Sequence, residues 1–134
     1  MPSTALKFSE AFVLALHSVV IIAKNGDNKT SVQVIAEELK ASVAHLQKVM
    51  QRLVKANLIK SSRGPKGGYL LVAKPETLHL IEVYEAIEGK LVLCNCLFSS
   101  PVCDGKSCIL GSLTSSVNKQ VWDYLTNKTV KDVL

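Results

Sequence analysis

Apolar residues recur at helical spacing through most of this chain, and five such stretches predict five helices. The first stretch, at about 9–24, is apolar around most of its circumference, so we expect a buried helix with Ser9 as its N-cap. A second, short helix follows the polar loop 25–29 and starts at Thr30 or Ser31. Its inward face is predicted to consist of Val34, Ile35 and Leu39.

A third helix is predicted from its N-cap Ser42 to about Ala56, where Asn57 is a suitable stop. Its apolar row consists of Val43, Leu46, Val49, Met50, Leu53 and Val54. Two short strands follow at 58–62 and 69–72, joined by a glycine-rich loop. Two short helices followed directly by a β-hairpin are the pattern of a winged helix-turn-helix.

The remainder of the chain predicts a helix at 78–88 that Gly89 ends, then a loop, then a last helix at about 110–125. Its apolar seam consists of Leu110, Leu113, Val117, Val121 and Leu125, and suits either a partner helix or packing within the subunit. We therefore expect a mainly α fold with one small β-hairpin, in a single domain 1–134. Its parts are a DNA-binding winged helix-turn-helix (1–89), a cysteine sensor loop (90–109), and a dimerisation helix with a short tail (110–134).

Composition narrows the class of protein. With 134 residues, 48% of them hydrophobic and 20% charged, the chain suits one globular domain and excludes a disordered or low-complexity protein. The apolar stretch 11–23 is too short to span a bilayer and carries no small-residue cleavage site after it. We therefore expect a cytoplasmic protein that does not enter a membrane.

Charge is distributed unevenly along the chain. The net charge of +5 is mild, but residues 40–74 hold eight of the 16 Lys and Arg residues and no Asp or Glu. The remainder holds the other eight against all 11 acidic residues, which leaves +8 on this segment and −3 elsewhere. Such asymmetry indicates a surface that binds a polyanion, here double-stranded DNA.

The third helix and the hairpin supply the candidate DNA contacts. His45 and Gln47 suit base edges in the major groove, whereas cationic side chains suit phosphate or guanine. The alternative is a solvated basic helix beside an ordinary hairpin. The candidate DNA-binding residues are Ser42, His45, Gln47, Lys48, Arg52, Lys55, Arg63, Gly64, Lys66, Gly67 and Gly68.

All four cysteines lie in one short segment, as Cys94, Cys96, Cys103 and Cys108. Several thiolates on one loop are the soft ligands that iron–sulfur clusters and zinc prefer, although the paired C-x2-C of structural zinc sites is absent. The alternatives are free thiols or a reversible disulfide. No C-x-x-C lies beside a βαβ pattern and no nucleophile–base pair is evident, so we predict that the chain is not an enzyme.

Several stretches resemble one family. The run from Arg63 to Leu71, preceded by the helix end 52–59, resembles the wing signature of the Rrf-type bacterial transcriptional regulators. Residues 80–89 and 125–133 are similar to the family's helix after the wing and to its C-terminal ending. The resemblance covers nearly the whole chain and implies a homodimeric winged-helix protein whose long C-terminal helix makes the dimer.

The resemblance also implies a cofactor. In cluster-binding members, three cysteines before the last helix hold a 2Fe–2S or 4Fe–4S centre, and Cys96, Cys103 and Cys108 match them, with Cys103 one position late. Some members use a histidine as fourth ligand, where this chain has Gly111. The remaining candidates for that ligand are the partner subunit's Glu10 and the nearby Cys94.

Together these features predict a dimeric, sequence-specific DNA-binding regulator that acts as a repressor on a partly palindromic operator. A cysteine-ligated iron–sulfur cluster would sense redox state, iron or nitric oxide. The alternative is a winged-helix regulator without a cluster, which senses thiol oxidation or a small ligand through residues 94–108. A basic face for an acidic protein partner is a further alternative to the DNA operator.

Overall fold

A computed structural model describes residues 5–100, 102–104 and 106–134. These residues form five α-helices and one antiparallel β-hairpin, which confirms the predicted fold class. The elements are α1 (Glu10–Lys24), α2 (Val32–Leu39), α3 (Val43–Lys55), β1 (Ile59–Ser62), β2 (Gly68–Leu71), α4 (Leu80–Glu88) and α5 (Leu113–Asn127), followed by a short 3-10 turn (Lys131–Val133).

Local side-chain chemistry sets the helix boundaries. Ser9, Ser31 and Ser42 each accept a hydrogen bond from the backbone N–H three residues later, at 3.1–3.3 Å, and so cap α1, α2 and α3. Asn57, with φ 61°, turns the chain out of α3 in the left-handed conformation that asparagine tolerates. Gly89, with φ 83° and ψ −179°, ends α4 in an extended conformation of positive φ that favours glycine.

The hydrophobic core lies where α1 packs against α2, α3, α4 and β2. Each of these helices contributes side chains that are almost fully buried, and each such side chain stabilises the fold by roughly 1.5–3 kcal/mol relative to an exposed position. The largest are Phe12, Val19 and Ile22 from α1, Ile35 from α2, Leu46, Met50 and Leu53 from α3, and Leu80 and Val83 from α4.

Three predicted inward-facing residues lie at the surface instead. Val34 is 49% exposed, because α2 buries the row Val32, Ile35 and Ala36. Val43 and Val54 are each 36% exposed, because they flank the row of α3 that meets the core. In α2 and α3 the apolar residues extend beyond the row that meets the core, and packing against neighbouring elements selects which of them are buried.

The last helix also begins later than predicted, at Leu113, so that Leu110 precedes it. After α5 the chain returns to the start of α4, where Val130 N–H donates to the Leu78 carbonyl at 2.8 Å. Leu125 and Val130 are buried at this junction, which holds α5 against the winged-helix part. None of the helices formed by the described residues combines the length and apolar character needed to cross a bilayer.

Candidate DNA-binding surface and cysteine segment

Helix α3 presents a polar row on the side opposite its buried row. Gln47, Lys48, Gln51 and Lys55 are all exposed, whereas His45 is half-buried near the start of the helix. The tight turn before α3 depends on Lys40, which adopts a left-handed conformation with φ 54° and ends α2. This arrangement of α2, turn and α3 leaves the polar row of α3 free to enter a groove of DNA.

Ser42 has the capping role that the sequence predicted, and the wing glycines shape the loop between β1 and β2. The Ser42 side chain accepts the hydrogen bond that caps α3. In the loop between β1 and β2, Gly67 N–H donates to the Gly64 carbonyl at 2.9 Å, and Gly64 has φ 106°. Arg63 and Lys66 are exposed on this loop, so the predicted wing carries two cationic side chains at its tip.

Backbone hydrogen bonds attach the wing to the loop before α2. Thr30 and Tyr69 exchange N–H to carbonyl bonds of 3.1 and 2.8 Å, in an antiparallel bridge. The approach is close at Gly68, where a β-carbon would lie 2.8 Å from the Thr30 carbonyl oxygen. A β-carbon at Gly67 would lie 2.4 Å from the Ser62 carbonyl oxygen. Both glycines are therefore required by packing, independently of any contact with DNA.

Basic side chains of the 40–74 segment are all exposed, and within the part of the chain that the structure describes none of them forms an ion pair. The ion pairs of the described residues involve basic side chains outside this segment, for example Lys119, which pairs with Asp123. Positive charge on this segment is therefore not neutralised from within the protein. This is the electrostatic condition for binding a polyanion.

Arg52 has a partner inside the protein. Its Nη2 donates a hydrogen bond to the backbone carbonyl of Ile87, in the last turn of α4. The neighbouring Glu88 carboxylate accepts a hydrogen bond from the Ser9 hydroxyl at the start of α1. Burial and, secondarily, the charge of Glu88 raise the pKa of Tyr84, whose ring packs edge-on against nearby aromatic rings. The end of α4 is thus held by α3 and by α1.

Between α4 and α5 the described residues form turns and bends without a helix or strand. Cys96, Cys103 and Cys108 line one mainly apolar cavity of about 260 Å³, and all four cysteines are free thiols. Cys94 lies apart, in a cavity against α5, where Asn118 Nδ2 donates to the Cys94 carbonyl at 2.8 Å. The structure therefore groups the three predicted cluster ligands and separates the fourth cysteine.

The donor set suits an iron–sulfur cluster in its chemistry, since three cysteine side chains line one apolar cavity and cysteine sulfur is the ligand that such clusters use. In this structure the three cysteine side chains are not arranged as the ligands of a metal site. Among the residues that the structure describes, no three His, Cys, Asp or Glu side chains converge closely enough to hold a metal ion. Glu10, the exposed first residue of α1, belongs to no such group either.

Comparison with known proteins identifies the family. Residues 8–134 match the Rrf2 model, described as an iron-dependent transcriptional regulator. The chain belongs to the Rrf2 family. An HTH-type transcriptional regulator of Neisseria meningitidis is 29% identical over 122 residues, which cover 91% of this chain and 81% of the relative.

Two solved structures carry the same fold as this Rrf2 protein. CymR, the global cysteine regulator of B. subtilis, has a TM-score of 0.78 at 26% identity, covering 96% of this chain and 95% of that one. IscR of T. potens has a TM-score of 0.75 at 25% identity, covering 96% and 86%. The family and these relatives are transcriptional regulators and not enzymes, which confirms the predicted resemblance, the winged-helix fold and the non-enzymatic function.

Sequence reasoning missed the residues that connect the parts of this Rrf2 regulator. Thr30 pairs with Tyr69 across 39 positions of sequence, and Asn118 reaches the Cys94 carbonyl across 24. No periodicity or local motif marks such contacts, because they depend on how elements pack. Only the pair of glycines at 67 and 68 signalled a close approach of two backbones.

Replacing Gly68 by alanine tests the attachment of the wing. The new β-carbon meets a backbone oxygen that cannot rotate away, so we expect the free energy of unfolding to fall by about 1–3 kcal/mol. We also expect weaker DNA binding, because the wing shifts. Urea unfolding and fluorescence anisotropy on a duplex measure the two effects. Ser61→Ala, an exposed change on the same hairpin, is the control, and equal stability of the two variants would contradict the packing role.

Proposed function

We propose that this Rrf2 regulator binds double-stranded operator DNA as a homodimer and that its cysteine segment senses the signal. The observation that carries the proposal is the position of that segment. Three of its thiols line one cavity, and the segment joins the winged-helix part to α5. A chemical change at these thiols can therefore act on both the DNA-binding part and the proposed dimer helix.

The proposed DNA contacts are the exposed side chains of the recognition helix and the wing. Gln47 and Gln51 are suited to base edges, and Lys48, Lys55, Arg63 and Lys66 to phosphates. His45 is half-buried, so its reach to a base is shorter than that of the glutamines. Ser42, Gly64, Gly67 and Gly68 would contribute through the backbone that they shape. Operator binding by a dimer places two such helices in successive major grooves.

Salt dependence tests the phosphate contacts. Lys48→Ala is expected to weaken binding to any duplex and to lower the slope of log K against log salt by about 0.9, the contribution of one phosphate contact. Anisotropy titrations between low and moderate salt measure this slope. Lys131→Ala, in the C-terminal tail and paired with Glu76, is the matched control and should leave the slope unchanged. An unchanged salt slope in both variants would show that Lys48 does not contact DNA phosphate.

The proposed dimer surface is the apolar groove between α1 and α5. It has a volume of about 460 Å³ and is lined by Phe12 and Leu16 of α1 and by Val117 and Val121 of α5. Large apolar side chains at its edge are exposed, among them Tyr124 at 53%. Exposed contiguous apolar surface favours association, and α5 supplies the helix that the sequence pattern assigned to a partner.

Val117→Asp tests the dimer. An unpaired carboxylate in an apolar interface is costly, so the dissociation constant of the dimer is expected to rise at least about tenfold. Sedimentation equilibrium over a range of protein concentrations measures it. Val34→Asp places the same charge on an exposed valine of α2 and serves as the control. If both variants keep the wild-type association, the α1–α5 groove is not the dimer contact.

The proposed cofactor is an iron–sulfur cluster held by Cys96, Cys103 and Cys108, with Cys94 or the partner subunit's Glu10 as a fourth ligand. Support comes from the shared cavity of the three thiols and from the family's description as iron-dependent. When bound, such a cluster supplies a redox-active, iron-dependent centre. The protein would supply the thiolate ligands. Because their side chains do not converge in this structure, the cysteine segment would rearrange when the cluster binds.

A second candidate function is sensing by the thiols themselves. It is favoured by four free cysteines on one segment, three of them exposed, and by the similarity to CymR, a global cysteine regulator. Oxidation of a thiolate, or disulfide formation between two of them, would then change the segment without a metal. Repression of the target genes is the expected outcome in either case.

Anaerobic purification separates the two candidates. The cluster predicts visible absorption with bound iron and sulfide, lost in Cys96→Ala, Cys103→Ala and Cys108→Ala. Cys94→Ala and Glu10→Ala then distinguish the two candidates for the fourth ligand, since Cys94 lies in a separate cavity. A colourless wild-type protein without iron or sulfide would exclude the cluster. Operator affinity before and after peroxide treatment then tests thiol sensing.

A further inference from the structure

The end of helix α4 carries a backbone group that needs a partner from outside the helix. The last four carbonyls of any α-helix lack partners within it. In α4, the Glu85 carbonyl accepts from Gly89 N–H at 3.1 Å, and the Ile87 carbonyl accepts from the guanidinium of Arg52. A cation at a helix C-terminus also interacts favourably with the helix dipole. Arg52 therefore meets both requirements of this helix end.

The position of Arg52 on α3 fits this contact. With about 3.6 residues per turn, Arg52 lies at the border between the buried row and the polar row. The buried row, which includes Val49 and Leu53, packs in the core to which Ile87 also belongs. The centre of the polar row lies between Gln51 and Lys55. Arg52 thus faces α4 along the flank of the recognition helix.

The helix end that Arg52 holds leads directly into the cysteine segment. Gly89 follows Glu88 with φ 83°, and residues 90–109 begin immediately afterwards. The same turn is held from its other side by the hydrogen bond between Ser9 and Glu88. A shift of the segment that displaces this turn would therefore act on α3 through the hydrogen bond of Arg52, beside the packing of α3 against α4 in the core.

We propose that Arg52 is a positioning residue, which fixes the recognition helix against the last turn of α4 and links it to the cysteine segment, and that it is not a phosphate contact. The link to the cysteine segment rests on the proposed sensing function. The positioning role of Arg52 is argued from its hydrogen bond to the Ile87 carbonyl and does not require the sensing function. The two parts of the proposal can therefore be tested separately.

The first experiment compares Arg52→Met with Lys48→Met, two changes that each remove one positive charge from α3. The probes are an operator duplex obtained by in vitro selection on the wild-type protein and a random-sequence duplex of the same length. Lys48→Met should weaken binding to both duplexes and lower the slope of log K against log salt by about one. Arg52→Met should weaken binding to the selected operator about tenfold, as loss of a charge-assisted hydrogen bond predicts. Its affinity for the random duplex and its salt slope should equal those of the wild type.

Conservative variants separate charge from position. Arg52→Lys keeps the charge and a donor and should restore most of the operator affinity. Arg52→Gln removes the charge and keeps a donor, and its salt slope should equal that of the wild type. If Arg52→Met or Arg52→Gln lowers the slope by about one and weakens both duplexes alike, Arg52 contacts phosphate and the proposal is overturned. Thermal unfolding of each variant confirms that the proteins compared are folded.

The second experiment tests the link to the cysteine segment. All four cysteines lie between residues 94 and 108, so N-ethylmaleimide modifies this segment alone. The ratio of operator affinities before and after treatment is expected to differ from one in the wild type and to approach one in Arg52→Met. An equal change in both proteins overturns the link. An unchanged affinity in the wild type overturns the sensing function, and the salt slopes still decide the positioning role.

Discussion

The burial of one row of α3 is the interaction on which the rest of the structure depends. Leu46, Met50 and Leu53 are fully buried, and they fix the rotation of the recognition helix about its own axis. The opposite row, which includes Lys48, faces outward as a consequence. Because the chain enters β1 immediately after α3, with Ile59 also buried, the same packing determines where the wing begins. The side of α3 that is proposed to contact DNA is therefore the side opposite its buried row.

The wing depends on a different kind of interaction. Thr30 and Tyr69 are joined through backbone groups, which every residue except proline can supply. Side chains in the wing loop are therefore free to vary with the requirements of DNA binding. The constraint falls on Gly68, where the backbones approach too closely for a β-carbon. Backbone atoms attach the wing, whereas its proposed DNA contacts are made by the side chains of its loop.

The cysteine segment is organised much less tightly than the two parts that it joins. Its internal hydrogen bonds are local, such as those from Lys106 and Ser107 N–H to the Asp104 carboxylate. Several large apolar side chains are exposed, including Leu97 at 76% and Val102 at 82%. Regions with few buried contacts open and rearrange at low cost in free energy. Such a segment suits a sensor, because few contacts have to be broken when its thiols bind a ligand or are oxidised.

Local chemistry was readable from the sequence. Serine caps predicted where α1 and α3 begin, and Thr30 or Ser31 was predicted to start α2. Asn57 and Gly89 predicted where helices end, and the absence of acidic residues from 40–74 predicted a basic surface. These features depend on a residue and its near neighbours. The order of two short helices and a hairpin was sufficient for the fold class, because few topologies accommodate it.

Contacts between distant elements were decided only by the tertiary structure. Periodicity could not choose between Val34 and Val32 for the buried row of α2, or show that Arg52 donates a hydrogen bond to the end of α4. It also could not group three cysteines around one cavity and leave Cys94 against α5. The reason is physical. A sequence pattern states which side chains can be buried or charged, whereas the partner that each one meets depends on the packing of segments far away in the chain.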